Sequence, residues 1–395
     1  MEGNKGREQL HERNLRLVLQ QIFNHKMISR IEISRHLKLY KSTVSTLYNE
    51  LSDKGYVEEL GRGKSTSVRG RKPVLVAFNA HYGYTLNFVL GLEKLHVMAN
   101  YLNGDVLFTR EIEMVNRDIY KVVKIIDAEV ESSLKRDQTD HGLLGIGFAV
   151  HGIVSDNRII SSPFMNMAGI ELVSRYAEKY GVPVHVDNEA NLLAIYHRDF
   201  NRYNQSRNLL AITVDKGFGA GIILNNQLYQ GYGGAAGEIG QTIIYNNCLN
   251  KNQRFRVDDI CSEWAVIAGI KNQLHENQLD VDRLAAMRQA GNPIVCDALG
   301  KFAGSVASLI FNVASVIAPE KIYLTSPILS ASPSLFKIVT KDIRQLGMQT
   351  PILLTIRTRD AITLGCCSAI THQVLGMDGY ELTFRSSSNR ASKLK

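Results

Sequence analysis

Apolar side chains at Leu15, Leu17, Val18, Leu19, Ile22 and Phe23 recur at helical spacing and predict a helix over 10–23. Ser29 stands three residues before Glu32, the spacing of a capping box, and opens a second helix that runs through Leu37. A tight turn at Lys38-Leu39-Tyr40-Lys41 leads to a third helix, in which Ser42 is expected to be the cap. Val44, Leu47 and Leu51 face inward there, and Gly55 suits a left-handed terminus. Residues 56–60 and 74–78 read as two strands around the loop GRGKSTSVRGRKP. Helix, helix, turn, helix, strand, loop, strand is the order of a winged helix-turn-helix.

From Gly83 to about Ile370 short strand signals alternate with helical stretches, the pattern of an α/β domain. Three strand-like runs come first, over TLNFVLGLEKLHVMANYLNGDVLFTREIE, with Asn103-Gly104 marking a hairpin. A helix over 120–136 and the strand LLGIGFAV follow. VPVHVDNEANLLAIYHRDF then reads as a strand running into a helix, and Asp187-Asn188-Glu189 falls at the junction, where α/β folds place ligand groups. LLAITVDKGFGAGIILNNQLYQG is a hairpin with a glycine-rich turn. The expected division is a DNA-binding module over 1–80, an effector and oligomerisation domain over 81–383, and a disordered Ser/Lys/Arg-rich tail over 384–395.

Charge sharpens this division. Residues 1–80 carry fifteen Lys/Arg against eight Asp/Glu, whereas the rest holds 31 against 30. The surplus therefore sits on the small module, as expected of one that meets a polyanion. In the winged geometry the third helix enters the major groove, which makes Lys41, Ser42, Thr43, Ser45, Thr46 and Asn49 the expected contacts, with Ser29 and Arg30 beside them. The wing offers Arg62, Lys64, Arg69, Arg71 and Lys72, and Arg69-Gly70-Arg71 resembles a minor-groove arginine hook. No apolar run approaches the roughly 20 residues of a membrane span, and the charged N-terminus has no signal-peptide core. Five scattered cysteines fit a reducing cytoplasm. No membrane partner is expected.

The segments ISRIEISRHLKLYKSTVSTLYNELSDKGYVEELG, GIGFAVHGIV, VPVHVDNEANLLA, GFGAGIILNNQLYQGYGGAAGEIG and IAPEKIYL together resemble the ROK family of repressors and kinases, in its xylose-repressor-like branch. That resemblance implies a two-lobed, actin-like (ribonuclease-H-like) domain around a sugar cleft, assembled as a homodimer or homotetramer. It also implies Asn188, Glu189, Glu238, Gln241 and Glu263 as sugar-binding residues. Family kinases cradle phosphates on glycine-rich turns. The matching places here read Leu92-Glu93-Lys94-Leu95-His96 and Asp215-Lys216-Gly217, with Thr325-Ser326 in place of a glycine pair. Glu189 replaces the catalytic aspartate. Gln241 replaces a zinc-binding histidine, Cys261 matches only the last of three zinc cysteines, and Cys248 is out of register.

These departures point to a repressor without kinase activity, metal or cofactor, whose partners are double-stranded operator DNA and a sugar or sugar-derivative effector. Two other readings remain: an active sugar kinase with an appended DNA module, and a DNA-binding oligomer that takes no ligand. Glu189 and Glu238 could equally serve as helix caps, and His151 reads either as a turn residue or as part of the cleft wall.

Overall fold

A computed structural model describes residues 2–62, 73–114, 118–200, 206–245 and 254–385. The N-terminal module consists of α1 (Glu2–Asn24), β1 (Ile28–Ser29), α2 (Arg30–Leu37), α3 (Lys41–Asp53), β2 (Val57–Arg62) and β3 (Val74–Phe78). The strands form one antiparallel sheet in the order β1-β3-β2. Ser29 and Glu32 make the expected capping box, each side chain taking the other's backbone N–H. Ser42 does not cap α3. Tyr40 is the N-cap, contributes no side-chain bond, and the helix already includes Lys41. Gly55 takes a φ of 80°, so the chain turns into β2 as the glycine predicts.

The first lobe holds β4 (Tyr84–Leu90), β5 (Lys94–Tyr101), β6 (Val106–Glu113), α4 (Ile119–Arg136), β7 (Leu143–Val150), β8 (Ile153–Ser155), β9 (Arg158–Ser161), α5 (Leu172–Tyr180), β10 (Val184–Asn188) and α6 (Glu189–Asp199). The second holds β11 (Leu209–Val214), β12 (Phe218–Leu224), β13 (Gln227–Leu228), β14 (Ile243–Tyr245), β15 (Arg254–Arg256), α7 (Val257–Cys261), α8 (Glu263–Leu274), α9 (Val281–Gln289) and α10 (Pro293–Ile317). It continues through β16 (Lys321–Thr325), α11 (Pro327–Ala331), α12 (Pro333–Gln345) and β17 (Ile352–Leu354), and α13 (Thr358–Val374) returns to the first lobe.

The two main sheets run β10-β7-β4-β5-β6 and β13-β12-β11-β16-β17. In each, three antiparallel strands are extended by two parallel ones. That repeated layout is the expected actin-like pair of lobes. Each lobe has its own core, around Phe88, Phe148 and Tyr176 in the first and Leu299, Phe302 and Leu324 in the second. Helix α10 is long and apolar enough to cross a membrane by composition alone, contrary to the reading of the bare sequence. Its Val295, Leu299, Phe302 and Val306 are buried in the second lobe's core.

Helices α6 and α13 cross in backbone contact. A Cβ on Gly365 would lie 1.9 Å from the Leu192 carbonyl oxygen, so only glycine fits there. The module and the body also share a core. Val18, Ile22, Phe23 and Phe78 pack with Met98, Leu102, Phe200, Leu382 and Phe384. Four rings make a continuous line: Phe200 and Phe384 stack at 5.1 Å, Phe384 meets Phe23 edge-on at 5.1 Å, and Phe23 meets Phe78 at 4.9 Å. The body thus continues through Arg385, whose N–H donates to the Asn103 carbonyl at 3.0 Å, two residues into the expected tail. The remaining tail, 386–395, lies outside the described residues.

Candidate functional site

Two sites emerge, one on α3 and one between the lobes. Val44, Leu47, Tyr48 and Leu51 anchor α3 to its module. This leaves Lys41, Ser42, Thr46 and Asn49 exposed and Thr43 and Ser45 half-buried on the outer side. Because Tyr40 supplies no side-chain cap, the amides of the first turn still face outward, where a phosphate can accept from them. Tyr40 itself is 84% exposed beside them and was not singled out from the sequence.

Ser29 does not belong to this surface. It is 3% exposed, and its hydroxyl donates to Glu32 at 2.7 Å, so the cap consumes it. Arg30 is also diverted: it bonds Glu59 at 3.0 Å and lies 4.3 Å above the Tyr48 ring, bracing the module. Arg62 closes β2. The other wing cations, Lys64, Arg69, Arg71 and Lys72, fall outside the described residues.

The second site is a cavity of 890 Å³ between the lobes, lined by Asn188, Glu189, Glu238 and Gln241 among others. Asn188 ends β10 and caps α6 by accepting the Asn191 N–H at 2.8 Å through its carbonyl, which leaves its NH2 for a ligand. Glu189 starts α6. Burial pushes its carboxyl up, but His151, with Nδ1 at 3.5 Å, and the charges of Lys216 and Arg359 outweigh burial and hold it below the usual carboxylate range. His151 therefore lines the cleft. From the second lobe, Gln241 donates to Glu238 at 2.9 Å. Gly237, at a φ of 86°, lets this turn lie against β12; a Cβ there would sit 1.8 Å from the Ala220 carbonyl oxygen. The result is a ring of amide and carboxylate groups, matched to vicinal hydroxyls that donate and accept in pairs.

Glu263 departs from expectation. It is 2% exposed, accepts from the Ser326 hydroxyl and from the Ile328 N–H at 3.1 Å, and does not line the cavity. Burial pushes its carboxyl up to about 8, so it stays protonated at neutral pH. It staples α8 to α11.

The places expected to differ from a phosphate cradle are pre-empted. Asp258 accepts the Phe218 N–H at 2.8 Å, so a carboxylate already holds the backbone donor beside Lys216-Gly217. Burial raises the Asp215 carboxyl in the same turn, with Lys216 pulling the other way. At the other turn Lys94 is bound by Glu111 and Glu113, each at 3.3 Å. Cys261 is buried in the second lobe's core, and Cys248 lies outside the described residues. Among the described residues no group of three or more His, Cys, Asp or Glu side chains is placed to hold a metal ion.

Asp258, Phe164 and Trp264 also line the cleft and escaped sequence reasoning. Trp264 is the chain's single tryptophan and adjoins Ser262-Glu263, which was the one available hint.

A family model described as "ROK family" matches residues 88–359. The xylose repressor of Lactiplantibacillus pentosus is 41% identical over 380 residues, covering 96% of this chain and 97% of that protein. The xylose repressor of Staphylococcus xylosus is 34% identical over 94% of this chain and 98% of that protein. Among solved structures, a ROK family transcriptional regulator described as a homologue of the Escherichia coli Mlc protein superposes with a TM-score of 0.76. It is 20% identical and covers 92% of this chain and 98% of that one.

Proposed function

The chain belongs to the ROK family, and from that membership we propose that it is a DNA-binding transcriptional repressor of carbohydrate-utilisation genes, controlled by a sugar in the cleft between its lobes. One observation carries this reading: an exposed face of α3 and a cleft ringed by Asn188, Glu189, Glu238 and Gln241 occur in one chain, and the module that holds α3 shares a core with the lobe that forms one wall of the cleft. The names of the relatives make xylose the first effector to test.

The protein works in the cytoplasm as a homodimer or homotetramer. Two copies set their α3 helices for successive major grooves, so the operator is expected to be palindromic. A sugar that binds one lobe arrangement better than the other shifts operator affinity by that difference. Phosphoryl transfer is not its chemistry. The Asp258 carboxylate on the Phe218 amide and the double ion pairing of Lys94 support that view, because a nucleotide phosphate would have to displace or repel both.

Two measurements test this together. Gel shifts on DNA upstream of sugar-utilisation genes, with and without a panel of aldoses, should show binding that changes with one sugar class. A coupled ADP-release assay with Mg-ATP over the same panel should show no turnover. Sugar-dependent ADP release would revive the kinase reading, and operator binding indifferent to every sugar would favour an oligomer that takes no ligand.

A further inference from the structure

Phe164 and Trp264 reach the cleft from opposite lobes. Phe164 lies between β9 and α5, and Trp264 sits in the first turn of α8. Their ring centroids are 5.8 Å apart with planes at 80°. His151 packs on Phe164 at 4.6 Å, and the Lys216 ammonium lies 5.7 Å from the same ring. All four line the cavity that holds Asn188, Glu189, Glu238 and Gln241. Trp264 nevertheless stays 48% exposed. An indole that the fold leaves half uncovered inside a polar cleft, braced by a half-buried phenyl ring, calls for a ligand with an apolar face of its own.

We propose that Phe164 and Trp264, set edge to face, form an aromatic platform on which the C–H face of a sugar ring packs, and that it selects cyclic sugars over the open-chain polyols of the same carbon skeleton. A ring-form sugar is two-sided: its hydroxyls point around the rim, while the C–H bonds on one face make an apolar patch. Amides and carboxylates read the rim equally well in a linear polyol, so they give little preference for the ring. The aromatic pair supplies it, since a flexible chain must give up its rotational freedom to present the same flat face. Because each ring belongs to a different lobe, the platform is complete only while the lobes are held as they are here. The proposal rests on the reading of the cleft as a carbohydrate site.

Trp264 is the only tryptophan, so its emission reports on this platform without a label. The full-length protein is titrated with aldoses, each paired with its own alditol, by fluorescence and by calorimetry. The aldose that binds should change the emission saturably, and its alditol should need at least tenfold more. Phe164→Leu should bring that ratio below threefold, while Phe164→Tyr, which keeps the ring, should preserve it; melting curves check that both variants fold. Aldose and alditol binding equally well to the unaltered protein, or calorimetric binding with no change in emission, would overturn the platform and leave the effector role intact. No heat with any aldose or alditol would overturn both. If Phe164→Leu does not fold, the aldose-to-alditol ratio of the unaltered protein and the Tyr variant still decide.

Discussion

Asn24 and Thr383 are joined as if they were neighbouring strands: the Thr383 N–H donates to Asn24 Oδ1 at 2.8 Å, and Asn24 Nδ2 donates to the Glu381 carbonyl at 2.8 Å. Gln20 adds a bond to the same carbonyl at 2.9 Å. Helix α1 is thereby stitched to residues 381–383 of the body, so the N-terminal module is docked on the first lobe. Asn24→Ala should weaken folding by roughly 0.5–1.5 kcal/mol, since it takes the acceptor from the Thr383 N–H and leaves Gln20 alone on the Glu381 carbonyl. It should also blunt the response of operator binding to sugar while changing sugar-free affinity less than threefold. Denaturant melts and gel shifts with and without effector check both.

On α3 the exposed residues divide by chemistry. Lys41→Ala should weaken binding to all DNA sequences alike and lower the salt slope by about one counterion. Asn49→Ala should instead change base preference and cost roughly 1–3 kcal/mol on the preferred operator. Anisotropy titrations at several salt concentrations, on operator and scrambled DNA, distinguish the two patterns.

Within the cleft, Glu238→Ala removes the carboxylate that Gln241 leans on. Sugar affinity should fall at least tenfold, and the protein should still bind operator with its original strength. Repression that no longer lifts with sugar is the expected phenotype. Loss of DNA binding in this variant would place Glu238 in the scaffold instead.

Glu263 sets a pH dependence. In the unfolded chain its carboxyl ionises near 4.5, whereas in the fold it keeps its proton up to about 8. Below 4.5 both states are neutral and stability is unaffected. As pH rises from 4.5 to 8 the unfolded state loses the proton and the folded state does not. Stability falls through that window by at most about 1.4 kcal/mol per pH unit, then levels off. Glu263→Gln keeps an acceptor for Ser326 and Ile328 with nothing to ionise. Its melting temperature should therefore exceed that of the unaltered protein at pH 8, and the gap should close toward pH 5.

Much of this architecture was legible in order and period. Ser29 and Glu32 announced α2, Asn103-Gly104 announced a hairpin, and Asp187-Asn188-Glu189 marked the strand-to-helix junction at the cleft. Side-chain destinations were less accessible. Ser29 and Arg30 look like DNA contacts until Glu32, Glu59 and Tyr48 are seen to engage them. Glu263 looks like a sugar ligand until Ser326, far along the chain, is found bonded to it. Phe164 and Trp264 become partners only when the lobes face each other. Short-range chemistry writes caps and turns into the sequence; contacts between distant segments leave no such mark.

Helix α6 begins at the cleft with Asn188 as its cap and ends next to Phe200, where the line of rings leading to Phe78 starts. Eleven helical residues make it about 16 Å long. Its fourth residue, Leu192, meets Gly365 of α13, and Ala190 lies equally close to Gly221 of β12, so the helix is gripped by an element of each lobe. A single inserted residue would twist its far end by about 100° and turn Phe200 away from that line of rings, even with every cleft and α3 residue in place.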